Sequence, residues 1–244
     1  MFPKIEDWKE FKKQVRIICQ LIMGACNALR TRDYHLISVD EKPGIQALEQ
    51  KEMPMGFGKP CRREIEYIRR GKTCLIAGSE VGSGKIVHHD FVKRNNELGF
   101  LNFIKQITQQ FDSKAVIVFL LDNLSTHSTV SLVEFVASQI GYKEPLGKNR
   151  RYGIQKSQQS RRKFLTDSSH RIYFQFTPKH CSWLNPIENW FSILQRRVLN
   201  NGNFESVEIL KQKINAYIKY HNTSLYKPII WHFTGFTKDN PIAA

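Results

Sequence analysis

The sequence has no cysteine pair at metal-binding or redox spacing. Its five cysteines, Cys19, Cys26, Cys61, Cys74 and Cys181, are scattered and odd in number. That excludes a CxxC zinc ribbon and a disulfide-stapled scaffold, and suits reduced, buried thiols in a cytosol. No apolar run approaches the ~20 residues that span a bilayer. Ile17–Cys26, behind Lys12, Lys13 and Arg16, is preceded by Glu6, Asp7 and Glu10 and interrupted by Gln20. It reads as a short amphipathic helix rather than a signal peptide. A phosphate loop is missing too. Gly82-Ser83-Gly84-Lys85 looks like one, but Ser79 stands where GxxxxGK[ST] needs glycine, and Ile86 where it needs a hydroxyl. Acids are scarce: 22 Asp and Glu against 37 Lys and Arg, a formal charge of +15. That excess says nothing about fold. It favours a polyanionic partner, because each neutralised phosphate releases condensed counterions. No basic amphipathic helix dominates the chain to favour an anionic membrane instead.

What is present is enough apolar residue for a sizeable core, 41% of 244 residues. Residues 7–30 have helical spacing. His35–Asp40 is a short apolar strand ending on an acid, and Pro43-Gly44 is expected to turn the chain. Residues 50–72 read as a basic loop. Thr73–Phe91 reads as a hairpin about Gly82-Ser83-Gly84, and Asn95–Phe111 as a helix. Ala115–Asp122 is the strongest strand, apolar on both faces and again ending on an acid. Thr126–Ile140 is expected to be helical, with Ser125 or Thr126 as cap. Residues 143–171 hold nine Lys or Arg against Glu144 and Asp167 and read as a basic loop or flexible insertion. Arg171–Phe176 is a strand that Thr177-Pro178 ends. Asn185 is expected to cap a helix with Pro186 in its first turn. Ile187, Trp190, Phe191, Leu194 and Val198 form its buried stripe. Phe204–Tyr220 is a last amphipathic helix. Strands joined by turns early in the chain, then separated by helices, imply an α/β fold: a mixed five-stranded sheet with helices on both faces.

Asp40 and Asp122 end strands, and Glu188 opens the helix that follows a third. Ligands collect at such strand ends in open sheets. An isolated acid there is often only a solubiliser, and Glu188 alone would also be explained by the helix dipole, worth ~0.3–1 kcal/mol. The neighbours of these acids are unlike a solvated face. Asp122 follows seven apolar residues, and Glu188 adjoins Trp183, Ile187 and Trp190. Three carboxylates without a Cys or His ligand set suit a hard cation such as Mg²⁺. With the basic surface they suggest two-metal phosphoryl transfer, in which one ion activates water or a 3′-hydroxyl and the other stabilises the leaving oxygen. A glycosidase-type pair would explain neither the third acid nor the charge.

Val39–Glu49 (VDEKPGIQALE), Leu120–His127 (LLDNLSTH) and Phe176–Leu199 (FTPKHCSWLNPIENWFSILQRRVL) resemble the catalytic blocks of DDE-type transposases, in the bacterial insertion-sequence group related to mariner elements. The resemblance runs from about Asp33 to Gly235. It implies a ribonuclease H-like catalytic domain over residues 33–235, with the basic insertion 143–171, an N-terminal helical segment 1–32 and a tail 236–244. It also implies a catalytic, metal-holding triad of Asp40, Asp122 and Glu188 with two Mg²⁺ ions, Mn²⁺ being the alternative. The implied chemistry is cleavage of double-stranded DNA at transposon ends and strand transfer into target DNA, by a homodimer in a bacterial cytoplasm at the nucleoid. Members usually carry N-terminal helix-turn-helix modules, and only about forty residues precede Asp40. The interval from Asp122 to Glu188 is also longer than in many mariner-like relatives. Its insertion would contact DNA or a second subunit, or be solvated. The alternatives in function are a ribonuclease H-like nuclease without strand transfer and a non-catalytic DNA-binding remnant.

Further residues are weighed beside the triad. Asn123 and His127 would shape the metal pocket or touch phosphate, or merely form a turn. Glu41, next to Asp40 on an extended strand, points to the other face and is not counted as a ligand. The candidate nucleic-acid contacts are Lys42, Arg62, Arg63, Arg69, Arg70, His127, Lys179, His180, Asn185, Arg196 and Arg197. Arg62, Arg63, Arg69 and Arg70 form the better basic cluster, a backbone-contact patch. Trp183 is expected to pack in the core.

Overall fold

The structure is a computed structural model. It describes residues 5, 7–53, 56–57, 62–63, 66–92, 96–200 and 202–236, with backbone alone at 52–53, 62–63 and 125–126. The first helix, α1 (Trp8–Arg32), starts at Asp7, whose side chain accepts from the amides of Lys9 and Glu10. Val15, Ile18, Cys19, Ile22 and Ala25 form its buried stripe. Seven strands follow in the order β1 (Tyr34–Glu49), β2 (Glu52–Met53), β3 (Arg62–Arg63), β4 (Ile68–Glu80), β5 (Ile86–Val92), β6 (Val116–Leu121) and β7 (Ile172–Phe176). The helices after β5 are α2 (Glu97–Thr108), α3 (Val130–Gln139), α4 (Gln158–Leu165), α5 (Ile187–Leu194) and α6 (Val207–Tyr220).

Five strands form one sheet in the order β5-β4-β1-β6-β7. β4 is antiparallel to both β5 and β1, whereas β1, β6 and β7 run parallel. On one face Ile37, Val39, Phe119, Leu121 and Phe174 pack against α2 and α3. On the other, Leu36, Val118 and Leu120 pack against α1, and Leu75 and Ala77 against α5 and α6. β6 is therefore covered on both sides, which is why its six residues are apolar without alternation. Phe119 and Phe174 stack at 5.2 Å in the middle of the first layer, each side chain contributing about 1.5–3 kcal/mol by burial. The mixed sheet with helices on both faces is as expected from the order of elements.

Several local expectations are corrected. Pro43-Gly44 does not turn the chain. β1 runs through it, and the ladder with β4 steps from Lys42↔Leu75 to Ile45↔Thr73. The surplus residues form a bulge, with Gly44 at φ +68° and a proline where no ladder amide is needed. The supposed loop 50–72 contains the start of β4 and the short β2–β3 ribbon. The helix expected from Thr126 begins only at Val130, capped by Thr129, after a 3₁₀ turn at Ser125–Ser128. The basic insertion is folded. It contains a Lys148–Tyr152 bridge, a 3₁₀ turn at Ile154–Lys156 and α4, which opens on a Ser157–Ser160 capping box and buries Phe164 and Leu165. Trp183 is not core: it is 47% exposed, with its ring edge-on to Phe233 at 5.4 Å. Phe233 belongs to an extended C-terminal segment. That segment hydrogen-bonds to the hairpin turn through the Ile229 amide and Val81 carbonyl (3.2 Å) and packs Ile229, Trp231 and Phe236 over α1.

Candidate active site

The parallel ladder of β1 and β6 ends at Ser38↔Leu120. Two residues further along each strand stand Asp40 and Asp122. Side chains repeat every second residue, so Asp40 takes the side of the sheet that Ser38 occupies, whereas Asp122, one residue past the end of β6, turns to His127. Asp40 Oδ1 accepts from the Glu41 amide at 2.7 Å, and Oδ2 from Asn185 Nδ2 at 3.3 Å. Asp122 Oδ1 accepts from the Leu124 amide at 3.2 Å and lies 2.7 Å from His127 Nδ1. The His127 ring is 2% exposed and stacks on Phe100 at 4.2 Å. The half-buried Glu188 lies in the first turn of α5, near enough for its charge to raise Asp40.

Asn185 is corrected from cap to bracket. It ends a 3₁₀ turn at Ser182–Leu184, and its side chain makes no cap bond to α5. It reaches back to β1 instead. Its Oδ1 accepts from Ser38 Oγ at 2.5 Å, and its Nδ2 donates to the Val39 carbonyl at 2.9 Å as well as to Asp40. Ser38 Oγ in turn accepts from the Ile187 amide at 2.9 Å. A strand residue thus satisfies an open amide of the helix that carries Glu188.

The electrostatics are those of a crowded acid cluster. Burial and, after the opposing Glu41 amide, the charges of Glu188 and Asp122 push the Asp40 carboxyl up to about 6. Burial would raise Asp122 as well, but the His127 hydrogen bond and charge, the Leu124 amide and the Arg162 guanidinium outweigh it and hold it below the usual range. Glu41 faces the α2 side, and burial, moderated by His127 and reinforced by Asp40 and Asp122, pushes it up to about 7. Carboxylates that offer only oxygen donors are the donor set of a hard divalent cation. That chemical fit is not yet a closed cage: among the described residues no three His, Cys, Asp or Glu side chains stand close enough together to hold a metal ion.

A model of the family described as DDE superfamily endonuclease matches residues 35–211. The chain belongs to the DDE superfamily endonucleases. The match spans Asp40, Asp122 and Glu188. No functionally curated protein matches the sequence. Among solved structures, the Mos1 mariner paired end complex with Mn is similar at TM-score 0.53 and 13% identity, over 90% of this chain and 57% of that one. The Mos1 strand transfer complex and the Mos1 transposase paired-end complex with left transposon end each give TM-score 0.50 at 14% identity, over 90% of this chain and 58% and 59% of theirs. The fold is thus ribonuclease H-like, and this DDE-superfamily chain spans less than two thirds of the Mos1 chains.

Within that frame, the other sequence-predicted residues divide. His127 and Asn185 join the acids. Lys42 follows on β1, beside a cleft of about 240 Å³ that Gln195 and Leu199 also line. Lys179 and His180 are exposed in the connection to α5, His180 with φ +62°. Arg196 and Arg197 are exposed on the π-helical turn Gln195–Leu199 that continues α5. Arg69 and Arg70 are not brought to the site. They pair with the far end of β1, where Leu48 faces Arg69, roughly 25 Å from Asp40 at strand spacing. Arg70 is engaged by Glu49 at 2.5 Å. The side chains of Arg62 and Arg63 lie outside the described residues, as do residues 237–244 of the tail. Sequence reasoning missed Ser38 and Arg162. Ser38 was hidden in an apolar strand. Arg162 was one of many cations in the insertion, and its place beside Asp122 is visible only in three dimensions. No helix among the described residues is long and apolar enough to cross a membrane.

Proposed function

We propose that this chain is the catalytic domain of a transposase, which hydrolyses phosphodiester bonds at the ends of a mobile DNA segment and joins the freed ends to target DNA. The observation that supports the reading is that Asp40, raised to about 6 mainly by burial, also feels the charges of Glu188 and Asp122, in a chain of net charge +15. The similar Mos1 structures, a paired end complex with Mn and a strand transfer complex, support DNA ends as substrate and a divalent cation as cofactor. Asp40, Asp122 and Glu188 would hold two Mg²⁺ ions, with Mn²⁺ as the alternative. The bound ions supply activation of water or a 3′-hydroxyl and stabilisation of the leaving oxygen. The chain's own residues prepare the site. His127 keeps one Asp122 oxygen turned inward and leaves the other open. Asn185 and Ser38 lock the Asp40 strand to the Glu188 helix. Lys42, Lys179, His180, Arg196 and Arg197 supply phosphate contacts near the acids, and Arg62, Arg63, Arg69 and Arg70 supply them further along the duplex. A homodimer would serve two ends at once, in a bacterial cytoplasm at the nucleoid.

The test is nicking and joining of labelled duplex DNA in Mg²⁺ or EDTA, with Asp122→Asn alongside. Mg²⁺-dependent cutting and joining, lost in the variant while DNA binding persists, is expected. Cutting without joining would leave a nuclease only. Undiminished cutting by the variant would remove the acids from the reaction.

A further inference from the structure

We infer that Arg162, on the inserted helix α4, grips the DNA phosphate that enters the carboxylate site; this rests on reading that site as a phosphodiester centre. Asp40 and Asp122 bring negative charge near one another, and an entering phosphodiester brings more. A cation must meet it. The neighbouring Arg161 is already committed. Its Nε donates to the Ser128 carbonyl at 2.7 Å and its Nη1 to the Gln155 carbonyl at 3.0 Å, which ties α4 to the turn after Asp122. Arg162 points elsewhere. Its guanidinium lies over the Phe176 ring, 4.9 Å from the centroid, and its Nη2 donates to the Asn123 carbonyl at 3.1 Å.

That leaves most of the group unused. A guanidinium carries five N–H donors, yet among the described residues Arg162 makes no other hydrogen bond and no ion pair within 4.0 Å, and its Nε is buried without a partner. Its nearest acid, Asp122, is occupied by His127 and the Leu124 amide. A partly desolvated cation held by stacking and one carbonyl is pre-oriented at little further entropy cost. With Nε buried and one Nη2 hydrogen given to Asn123, the Nη1–Nη2 edge is the part of the fork left to meet a phosphate. Arg162 therefore offers to substrate what Arg161 spends on the fold.

The experiment measures binding of a labelled short DNA duplex against salt concentration in EDTA, for the unsubstituted chain, Arg162→Gln and Arg162→Lys. Mn²⁺ binding without DNA is measured in parallel. Arg162→Gln should weaken DNA binding roughly tenfold and reduce the salt slope by about 0.9, one phosphate contact. Arg162→Lys should keep the slope, and neither variant should weaken Mn²⁺ binding. An unchanged slope and affinity in Arg162→Gln overturns the inference. Equal DNA losses in Gln and Lys, with Mn²⁺ binding weakened in both, also overturn it, since they mark a structural clamp on the Asp122 turn. If the unsubstituted chain binds no duplex at any salt, the phosphodiester reading of the site fails and Arg162 falls with it. Salt-sensitive binding that ignores Arg162 removes Arg162 alone.

Discussion

Replacing Asn185 separates two accounts of how the Glu188 helix is held. As a helix cap, Asn185→Ala would cost about 1 kcal/mol. The structure gives a larger figure. Asn185 is 1% exposed and Ser38 is fully buried. Truncation removes the bonds to Ser38 Oγ (2.5 Å), Val39 O (2.9 Å) and Asp40 Oδ2 (3.3 Å). The first leaves the Ser38 O–H without its acceptor, though Oγ still accepts from the Ile187 amide, and the second takes a donor from the Val39 carbonyl, at about 1–3 kcal/mol each. The third is long and adds little. A total of about 2–6 kcal/mol follows, which in a domain of this size lowers the melting temperature by roughly 4–24 °C. Asn185→Asp sharpens the test. It preserves shape and the bond from Ser38, but turns lone pairs toward the Val39 carbonyl and a second negative charge toward Asp40. It should be less stable than Asn185→Ala above pH 6 and recover on acidification. Thermal melts of the DNA-free chain in EDTA decide the matter. A drop below about 4 °C for Asn185→Ala, the scale of a cap alone, or an aspartate variant more stable than the alanine variant at neutral pH, refutes the bracket.

Other expectations follow from the same contacts. His127→Phe keeps a ring against Phe100 but loses the 2.7 Å contact to Asp122. Single-turnover cutting should fall about 10–100-fold while the melting temperature stays within a few degrees, and an unchanged rate would remove His127 from positioning. At the opposite end of β1, His35 sits 2.5 Å from Glu80 and 2.9 Å from Asp33, with both His35 and Glu80 buried. Burial lowers His35, but the hydrogen bonds to Glu80 and Asp33 outweigh it and raise the ring above its ordinary 6.5; burial raises Glu80, but His35 and Ser83 outweigh it and lower the carboxyl below its ordinary 4.5. The histidine's stabilisation is complete below 6.5 and lost as pH climbs through its higher folded value. The glutamate's is complete above 4.5 and lost as pH falls through its lower folded value. Asp40 and Glu41, pushed up to about 6 and about 7, lose stability as pH rises from their ordinary 3.8 and 4.5 to those folded values, so the fall begins on the acid side of the histidine's. The metal-free melting temperature should therefore peak near 4.5 and decline through 6.5 and beyond, and His35→Ala should flatten only the part above 6.5; a curve still rising toward pH 8 would refute the pairing.

The elements legible from sequence were those whose evidence is local. Ala115–Asp122 announces a doubly covered strand, and Ile187, Trp190, Phe191 and Leu194 announce one helix face. The acids were legible because each follows or opens such an element. Pro43-Gly44 misled because its turn signal is real, but the pairing of β1 with β4 on both sides of it absorbs the pair as a bulge. Charge hid α4, although its capping serines and the Phe164-Leu165 pair were present. Asn185 misled differently: its type and position suit a cap, and only the approach of Ser38 from a distant strand gives its side chain better partners. Arg162 differs from Arg161 in nothing that sequence shows. One residue's step around a helix decides which is spent on backbone carbonyls and which faces the acids.

The Ser38–Asn185 bracket also sets a clock. Its partners are 147 residues apart in the chain, and the helix amide that Ser38 receives is 149 residues away. β1 leaves the ribosome well before α5, and Asp40 has neither its Asn185 contact nor Glu188 beside it until about 145 further residues are made. Closing so long a loop is slow compared with helix formation. The acid cluster is therefore among the last features to assemble during synthesis, and a growing chain on the ribosome carries Asp40 and Asp122 without the third member of the set.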